Sequence, residues 1–339
     1  MTARSTGTSA AHSTAHSTGT STATSSRQGG LRRAWPALRL VAGVVVLGAL
    51  VWRFGTGPFA DAWHVTTWGA VLAALLLNVP ATLANAWRWR VIGRALGVPL
   101  TVRGSVAAYY RSQFLNVTLP GGMLGDAHRA VRHGRHAGDL GVGVRATLWD
   151  RVTGQASQAV LLVGAVLVLP SPLHRFAPLG LAGLAGVALL TWWLARPSDS
   201  SAFVGRDLRT LARPSTAARV GVASLVSTAG NVGVFLVAAA AVGVDAGPAV
   251  LLTVALVVLA GAAVPLNVAG WGPREGVTAG VFTLVGLGSQ TGLTVSVVFG
   301  VLAAVATVPG LVVLAADAVV RRSTAPTRAT RELEEARRG

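Results

Sequence analysis

Residues 105–125 read SVAAYYRSQFLNVTLPGGMLG. The segment is long enough to cross a bilayer, which takes about 20 residues of helix. Yet it carries Arg111, Gln113, Asn116 and Thr118, then breaks at Pro120, Gly121 and Gly122. Both flanks are basic: Arg103 precedes it, and Arg129, Arg132 and Arg135 follow. Basic clusters mark cytoplasmic loops. A single crossing would leave one cluster outside, whereas a hairpin that dips in and returns keeps both inside. Pro-Gly-Gly supplies the turn. Irregular backbone survives at membrane depth only when buried in protein or lining a wet cavity. The sequence therefore predicts a re-entrant segment in an all-α, polytopic integral membrane bundle.

Working outward, apolar runs of bilayer length recur on both sides. Leu38–Phe54 and Trp68–Trp87 precede the segment. Val144–Leu169, Phe176–Leu194, Val220–Val242 and Leu293–Ala316 follow it. A second broken stretch lies between the last two. Val250–Val264 is apolar, breaks at Pro265 into a glycine-rich polar run, and resumes to Leu287. The total is about seven or eight transmembrane helices. Arginines cluster before the first run, after the second, and in residues 195–219. That pattern predicts a plasma-membrane protein with cytoplasmic N- and C-termini. The set around residues 68–169 begins outside and the set around 220–316 begins inside. This is the order of an inverted repeat, in which broken helices meet near the midplane. Residues 1–30 are a Ser/Thr/Gly tail too poor in apolar side chains to order itself. Residues 35–320 form the transmembrane domain, and 321–339 a charged cytoplasmic tail.

Composition narrows the function. Only 12% of the 339 residues are charged, against about a quarter in soluble domains. The net charge of +17 would suit nucleic acid, but no nucleic-acid-reading module is present and the arginines sit between apolar runs. Cysteine is absent, so thiol and thiolate-metal chemistry is excluded. His12 and His16 are spaced for a metal on a helix, but their tract is not helical in composition. Lysine is also absent, which excludes a P-loop ATPase. No catalytic, cofactor or metal motif is visible, so no enzyme activity is expected.

Charged groups inside a bilayer are costly, which makes them functional candidates. Three constellations stand out. The first is Asn116, Pro120, Gly122, Asp126 and Arg129, with Arg111 inside the dipping segment. Asp126 and Arg129 are three apart and share a helix face. The second is Asp150-Arg151, adjacent on a helix and so unable to face each other. Each must find its own partner, and the first constellation is one place to find it. The third is Asn267, Gly270, Gly272, Arg274 and Glu275, which mirrors the first. A helix cap, a structural ion pair and a polar loop are the respective plainer roles. Arg88 and Arg90 end a span and read as snorkelling arginines, Arg90 especially. Tyr109 and Tyr110 read as interface anchors.

Four stretches carry a family resemblance. They are NVPATLANAWRWRVIG at 78–93, YYRSQFLNVTLPGGMLGDAHRAVRHGR at 109–135, LWDRVTGQ at 148–155 and VPLNVAGWGPREGV at 264–277. Together they resemble the lysylphosphatidylglycerol synthase transmembrane region, or flippase-like domain, over roughly residues 35–320. The matching positions are Leu119, Pro120, Gly122, Gly125, Asp126 and Arg129, then Asp150-Arg151, then Pro265, Gly270, Gly272 and Glu275. The resemblance implies a bilayer domain that moves or handles phospholipids or polyprenyl-linked lipids. Multidomain relatives add a soluble aminoacyl-transferase domain. Only 19 residues follow Val320, so no synthase activity is expected.

The expectation is a flippase-like protein whose partners are membrane lipids, with Arg111, Arg129, Arg151 and Arg274 meeting phosphate. Asp126, Asp150 and Glu275 would balance them or take a cationic headgroup. Two other readings are a membrane subunit working with a separate lipid-modifying transferase, and a small-solute transporter with the same repeat.

Overall fold

In the computed structural model, the described residues are 57–98, 100–119, 122–169, 172–176, 178, 202–262 and 273–323. The run Leu38–Phe54, nearly all of Phe176–Leu194, the 1–30 tail and most of the 321–339 tail lie outside them. So do Pro120, Asn267, Gly270 and Gly272.

Eleven α-helices are described, in this order. They are α1 (Gly57–Val65), α2 (Trp68–Ala95), α3 (Val102–Thr118), α4 (Leu124–Ala137), α5 (Leu140–Val168), α6 (Ala202–Leu211), α7 (Pro214–Val242), α8 (Pro248–Ala262), α9 (Pro273–Leu284), α10 (Ser289–Ala306) and α11 (Pro309–Ser323). A 3-10 turn covers Pro172–Phe176. No strand occurs among the described residues. Among the described residues, four stretches are long and apolar enough to cross a membrane: Trp68–Ala95, Leu140–Val168, Pro214–Val242 and Ser289–Asp317. The chain is an all-helical, multi-pass membrane protein.

Local chemistry sets the helix ends. The Thr67 hydroxyl accepts from Ala70 N at 3.2 Å and caps α2. Thr101 caps α3 in the same way, through Gly104 N at 3.1 Å. Between α4 and α5 the chain turns within two residues. Gly138 takes φ +73° and ends α4. Asp139 then accepts from Gly141 N at 2.7 Å and Val142 N at 3.2 Å, which starts α5. This corner makes α4 and α5 an antiparallel pair. Their axes come close because both are bare where they cross: a Cβ on Gly143 would meet Ala130 O and, at 2.6 Å, Gly134 N.

The expected dip resolves into α3, a five-residue connection and α4, which packs back along α3. A Cβ on Gly125 would meet Ser112 O, so the first turn of α4 lies directly against α3.

The centre of the bundle is the pair α2 and α7. Gly230 of α7 lies against Ala81 of α2, where an added Cβ would come within 2.7 Å of the alanine methyl. Small residues let membrane helices approach this closely. Around that pair, α7, α8 and α10 share an apolar core that includes Phe235, Val254, Val298, Phe299 and Leu302. Phe235 and Phe299 meet edge to face at 5.8 Å.

The last span differs from its expected form. The run Leu293–Ala316 is not one continuous helix: α10 ends at Ala306 and α11 begins at Pro309. Proline has no N–H to donate and its ring clashes with the carbonyl four residues back. At the break Gly310 N donates to Thr307 O at 2.8 Å, and the Ala306 carbonyl accepts from Asn78 Nδ2 of α2 at 2.8 Å. Asp317, expected beyond the span end, lies on α11 against α3 and α4.

Candidate functional site

Three helices carry polar residues at spacings i, i+3, i+4, i+7, which is one face of an α-helix. On α3 they are Tyr109, Ser112, Gln113 and Asn116; on α5, Arg151, Gly154, Gln155 and Gln158; on α7, Ser224, Ser227, Thr228 and Asn231. Asn85 and Arg88 of α2 are likewise three apart. All of these except Ser224 converge on a cavity of about 240 Å³, completed by Asp126 and Leu259. Amides, hydroxyls and three charged groups thus line a space inside an apolar bundle.

The floor of this cavity is an ionic network. Asp150 is fully buried. It accepts from Arg88 Nε at 2.9 Å, Arg129 Nη2 at 3.0 Å and Tyr109 Oη at 3.2 Å. Arg129 also donates to Asp126 at 3.1 Å. Asp126 in turn accepts from Ser112 Oγ at 2.7 Å, Asn116 Nδ2 at 3.3 Å and Arg151 Nε at 2.6 Å. Asn116 completes the ring by accepting from Gly125 N at 2.8 Å. Arg88 reaches α7 through Ser224 Oγ at 3.2 Å. Gly154 provides the space for its guanidinium, which an added Cβ would meet at 2.9 Å.

Arg129 is the hub. It is 1% exposed and its guanidinium lies 4.7 Å from the Trp89 ring centroid and 4.4 Å from that of Tyr109. Aromatic faces stabilise a desolvated guanidinium. Its Nη2 bonds both aspartates, while its Nε and Nη1 have no hydrogen-bond partner among the described residues. Next to it, His133 Nε2 is also buried without one. Burial, His136 and Arg129 hold the His133 imidazole below the ordinary histidine range.

Arg88 is seven residues before the end of α2 and Asp150 ten residues after the start of α5, about 10 and 15 Å along the helix axes at 1.5 Å per residue.

The expected candidates therefore separate into groups. Asn116, Asp126, Arg129, Asp150 and Arg151 come together, and Gly122 O lies 3.5 Å from Arg151 Nη2. Asp150 and Arg151 take separate partners, Asp150 toward Arg88 and Arg129, Arg151 toward Asp126. Arg111 is elsewhere, paired with Asp317, which Arg132 also contacts at 2.7 Å. Arg274 and Glu275 form a third buried group at the start of α9. Arg274 Nε donates to Glu275 at 3.0 Å and to Ser296 Oγ at 3.3 Å. Gly300 leaves room for that guanidinium. The four arginines expected to meet phosphate thus do not share one site: Arg129 and Arg151 meet at Asp126, Arg111 pairs with Asp317, and Arg274 pairs with Glu275.

Two residues change role. Tyr109 is not an interface anchor: its hydroxyl donates to Asp150 and its ring covers Arg129. Arg88 is not a snorkelling residue but 6% exposed and paired with Asp150. Arg90 donates through Nε to Leu100 O at 2.8 Å. The amides of α5 and the Ser/Thr/Asn face of α7 were legible as helical-period polar stripes inside apolar runs.

The family model for the lysylphosphatidylglycerol synthase TM region matches residues 37–310. This chain belongs to that family. The match contains both the ionic network and the Arg274-Glu275 group. A search of curated proteins finds no match to the chain. As a member of the family, it is a membrane protein related to lipid handling.

Proposed function

We propose that this protein is flippase-like: it moves a phospholipid or polyprenyl-linked lipid headgroup through the polar cavity while the hydrocarbon stays in the bilayer. One observation carries the reading. The polar cavity and an apolar groove of about 470 Å³ share Thr228. The groove runs between α5, α7 and α8 along Leu161, Ala165, Val168, Leu225, Val232 and Leu252. Val168 and Leu225 are exposed on the bundle surface, which faces hydrocarbon in a membrane. A polar recess joined to an outward apolar groove has the two-part chemistry of a lipid. A small polar solute has no use for the groove.

The polar recess offsets the cost of taking a headgroup out of water. The network contains Arg88, Arg129 and Arg151 against Asp126 and Asp150, and this positive excess favours an anionic group. Arg151 lines the cavity and is its most accessible charge. It would supply charge-assisted bonds to a phosphate. In this reading the Arg274-Glu275 group, with Asn267, Gly270 and Gly272, belongs to the second half of an inverted repeat of about seven or eight spans. The protein would act without catalytic chemistry, with lipids rather than nucleic acid as ligands, in the plasma membrane with both termini cytoplasmic.

The test is lipid translocation in proteoliposomes, read by loss of outer-leaflet fluorescent lipid to a membrane-impermeant quencher. The purified protein is expected to equilibrate the label between leaflets. Thr228→Trp, which fills the junction, and Arg151→Gln should each slow it at least tenfold while inserting normally. Translocation unchanged in both variants refutes the reading.

A further inference from the structure

A second cavity, of about 530 Å³, is lined by Arg129, which does not line the polar cavity. Its walls come from α2, α3, α4 and α11. Basic groups dominate its described lining: Arg103, Arg111, Arg129 and Arg132, with His133 and His136, against the single carboxylate Asp317. Asp317 is contacted by both Arg111 and Arg132. The rest of the lining is apolar or small, including Trp89, Val98, Leu100, Ala107 and Ala108.

Two buried groups face this space with hydrogen-bonding capacity unused. Arg129 is 1% exposed and its Nε and Nη1 have no hydrogen-bond partner among the described residues. His133 is 8% exposed and its Nε2 has none either. The aromatic rings of Trp89 and Tyr109 cover the guanidinium of Arg129, but they leave its in-plane N–H groups unmet. Buried donors without partners are rare, and each calls for an acceptor. Arginine's rigid fork of donors matches the oxygens of a phosphate.

We propose that this vestibule binds a phosphate group, held by Arg103, Arg129 and Arg132, with any attached organic part against the Trp89, Val98 and Leu100 wall. The site is distinct from the headgroup path. Arg151, Gln155 and Asn231 line the polar cavity and not this one. Arg129 is the partition, donating through Nη2 to the aspartates beneath the polar cavity and presenting its remaining donors to the vestibule. A phosphate seated here would pull on the same guanidinium that orients Asp126, which lines the headgroup cavity. Two sources fit this chemistry: a water-soluble phosphate compound and the headgroup of an anionic lipid.

The experiment uses the full chain in phosphatidylcholine nanodiscs. Inorganic phosphate is titrated by calorimetry, and in a second arm phosphatidic acid is included in the disc and its retention read by native mass spectrometry. The Arg103→Gln/Arg132→Gln double variant is expected to weaken phosphate binding or lipid retention at least tenfold. Arg209→Gln, which removes an exposed arginine that lines neither cavity, should leave both within twofold, which separates this site from a general loss of positive charge. Phosphate binding points to a soluble ligand, and retention of phosphatidic acid alone points to a lipid. Absence of both, or either one unaffected by the double variant, overturns the proposal. Arg103 is exposed and Arg132 half-exposed, so neither holds the core. Should the double variant fail to fold, Arg103→Gln alone is expected to weaken binding severalfold, and unchanged affinity in that variant counts against the site.

Discussion

Replacing Asp150 by asparagine tests whether the ionic network holds the bundle together. The side chain keeps its shape and loses its charge. In the structure Asp150 is 0% exposed and is the direct partner of two arginines, Arg88 at 2.9 Å and Arg129 at 3.0 Å. Arg129 keeps a second carboxylate, Asp126, at 3.1 Å. For Arg88, the described bonds leave only the Ser224 hydroxyl. The variant therefore strands a buried guanidinium and turns an amide N–H2 toward one donor. Removing one partner of a buried pair costs about 3–5 kcal/mol. At roughly 1.4 °C per kcal/mol, from about 2.1 cal/mol/K of unfolding entropy per residue over this length, the melting temperature should fall by about 4–7 °C. The assay is thermal unfolding of detergent-solubilised protein followed by size-exclusion chromatography. A second substitution, Arg88→Met, sharpens it. If the loss comes from the stranded charge, the double variant costs less than the two single changes added together, by about 1–3 kcal/mol. Asp150→Asn melting within about 2 °C of the parent, or fully additive costs, would refute the argument.

Two further outcomes follow from the packing and the histidine. Gly143→Ala places a methyl against Ala130 O and Gly134 N, both backbone, and should destabilise by about 1–3 kcal/mol. Gly164→Ala on the same helix meets nothing within 4 Å and should be neutral or slightly stabilising, so equal melting of the pair would contradict the close α4–α5 crossing. His133 has its pKa depressed in the folded state by burial, His136 and Arg129. Its contribution is complete above the unfolded value of about 6.5 and is lost as pH falls through the lower folded value. His133→Gln should therefore flatten the acid side of the stability curve, and superimposable curves would dismiss this assignment.

Much of the fold was legible because a bilayer imposes strict rules on sequence. Helices must be long and apolar, basic residues mark one side, and breaks need partners. Residues 68–95, 140–168 and 214–242 obey these rules; the expected runs overlap them but stop eight residues short in α2 and begin four and six residues late in α5 and α7. Proline alone did not decide where helices break: α11 starts at Pro309, whereas Pro80 lies inside the unbroken α2. The site was half legible. Asp126, Arg129, Asp150 and Arg151 announce themselves as charges in apolar surroundings, and the separate partners of Asp150 and Arg151 follow from helical geometry. Arg88 did not announce itself, because an arginine near a span end has a cheap alternative at the interface.

By itself, the sequence determined the class of the molecule, the neighbourhood of the break between α3 and α4 and the charges that had to find partners. Tertiary structure decided which partners. Whether Arg111 meets Asp126 or Asp317, and whether Tyr109 faces lipid or Arg129, depends on the rotation and crossing of helices far apart in the chain. Asp317 is 206 residues from Arg111, a separation that no local pattern spans. The division of the arginines between the polar cavity and the basic vestibule has the same origin. Helical period fixes the face on which a side chain lies, and only packing fixes what that face meets.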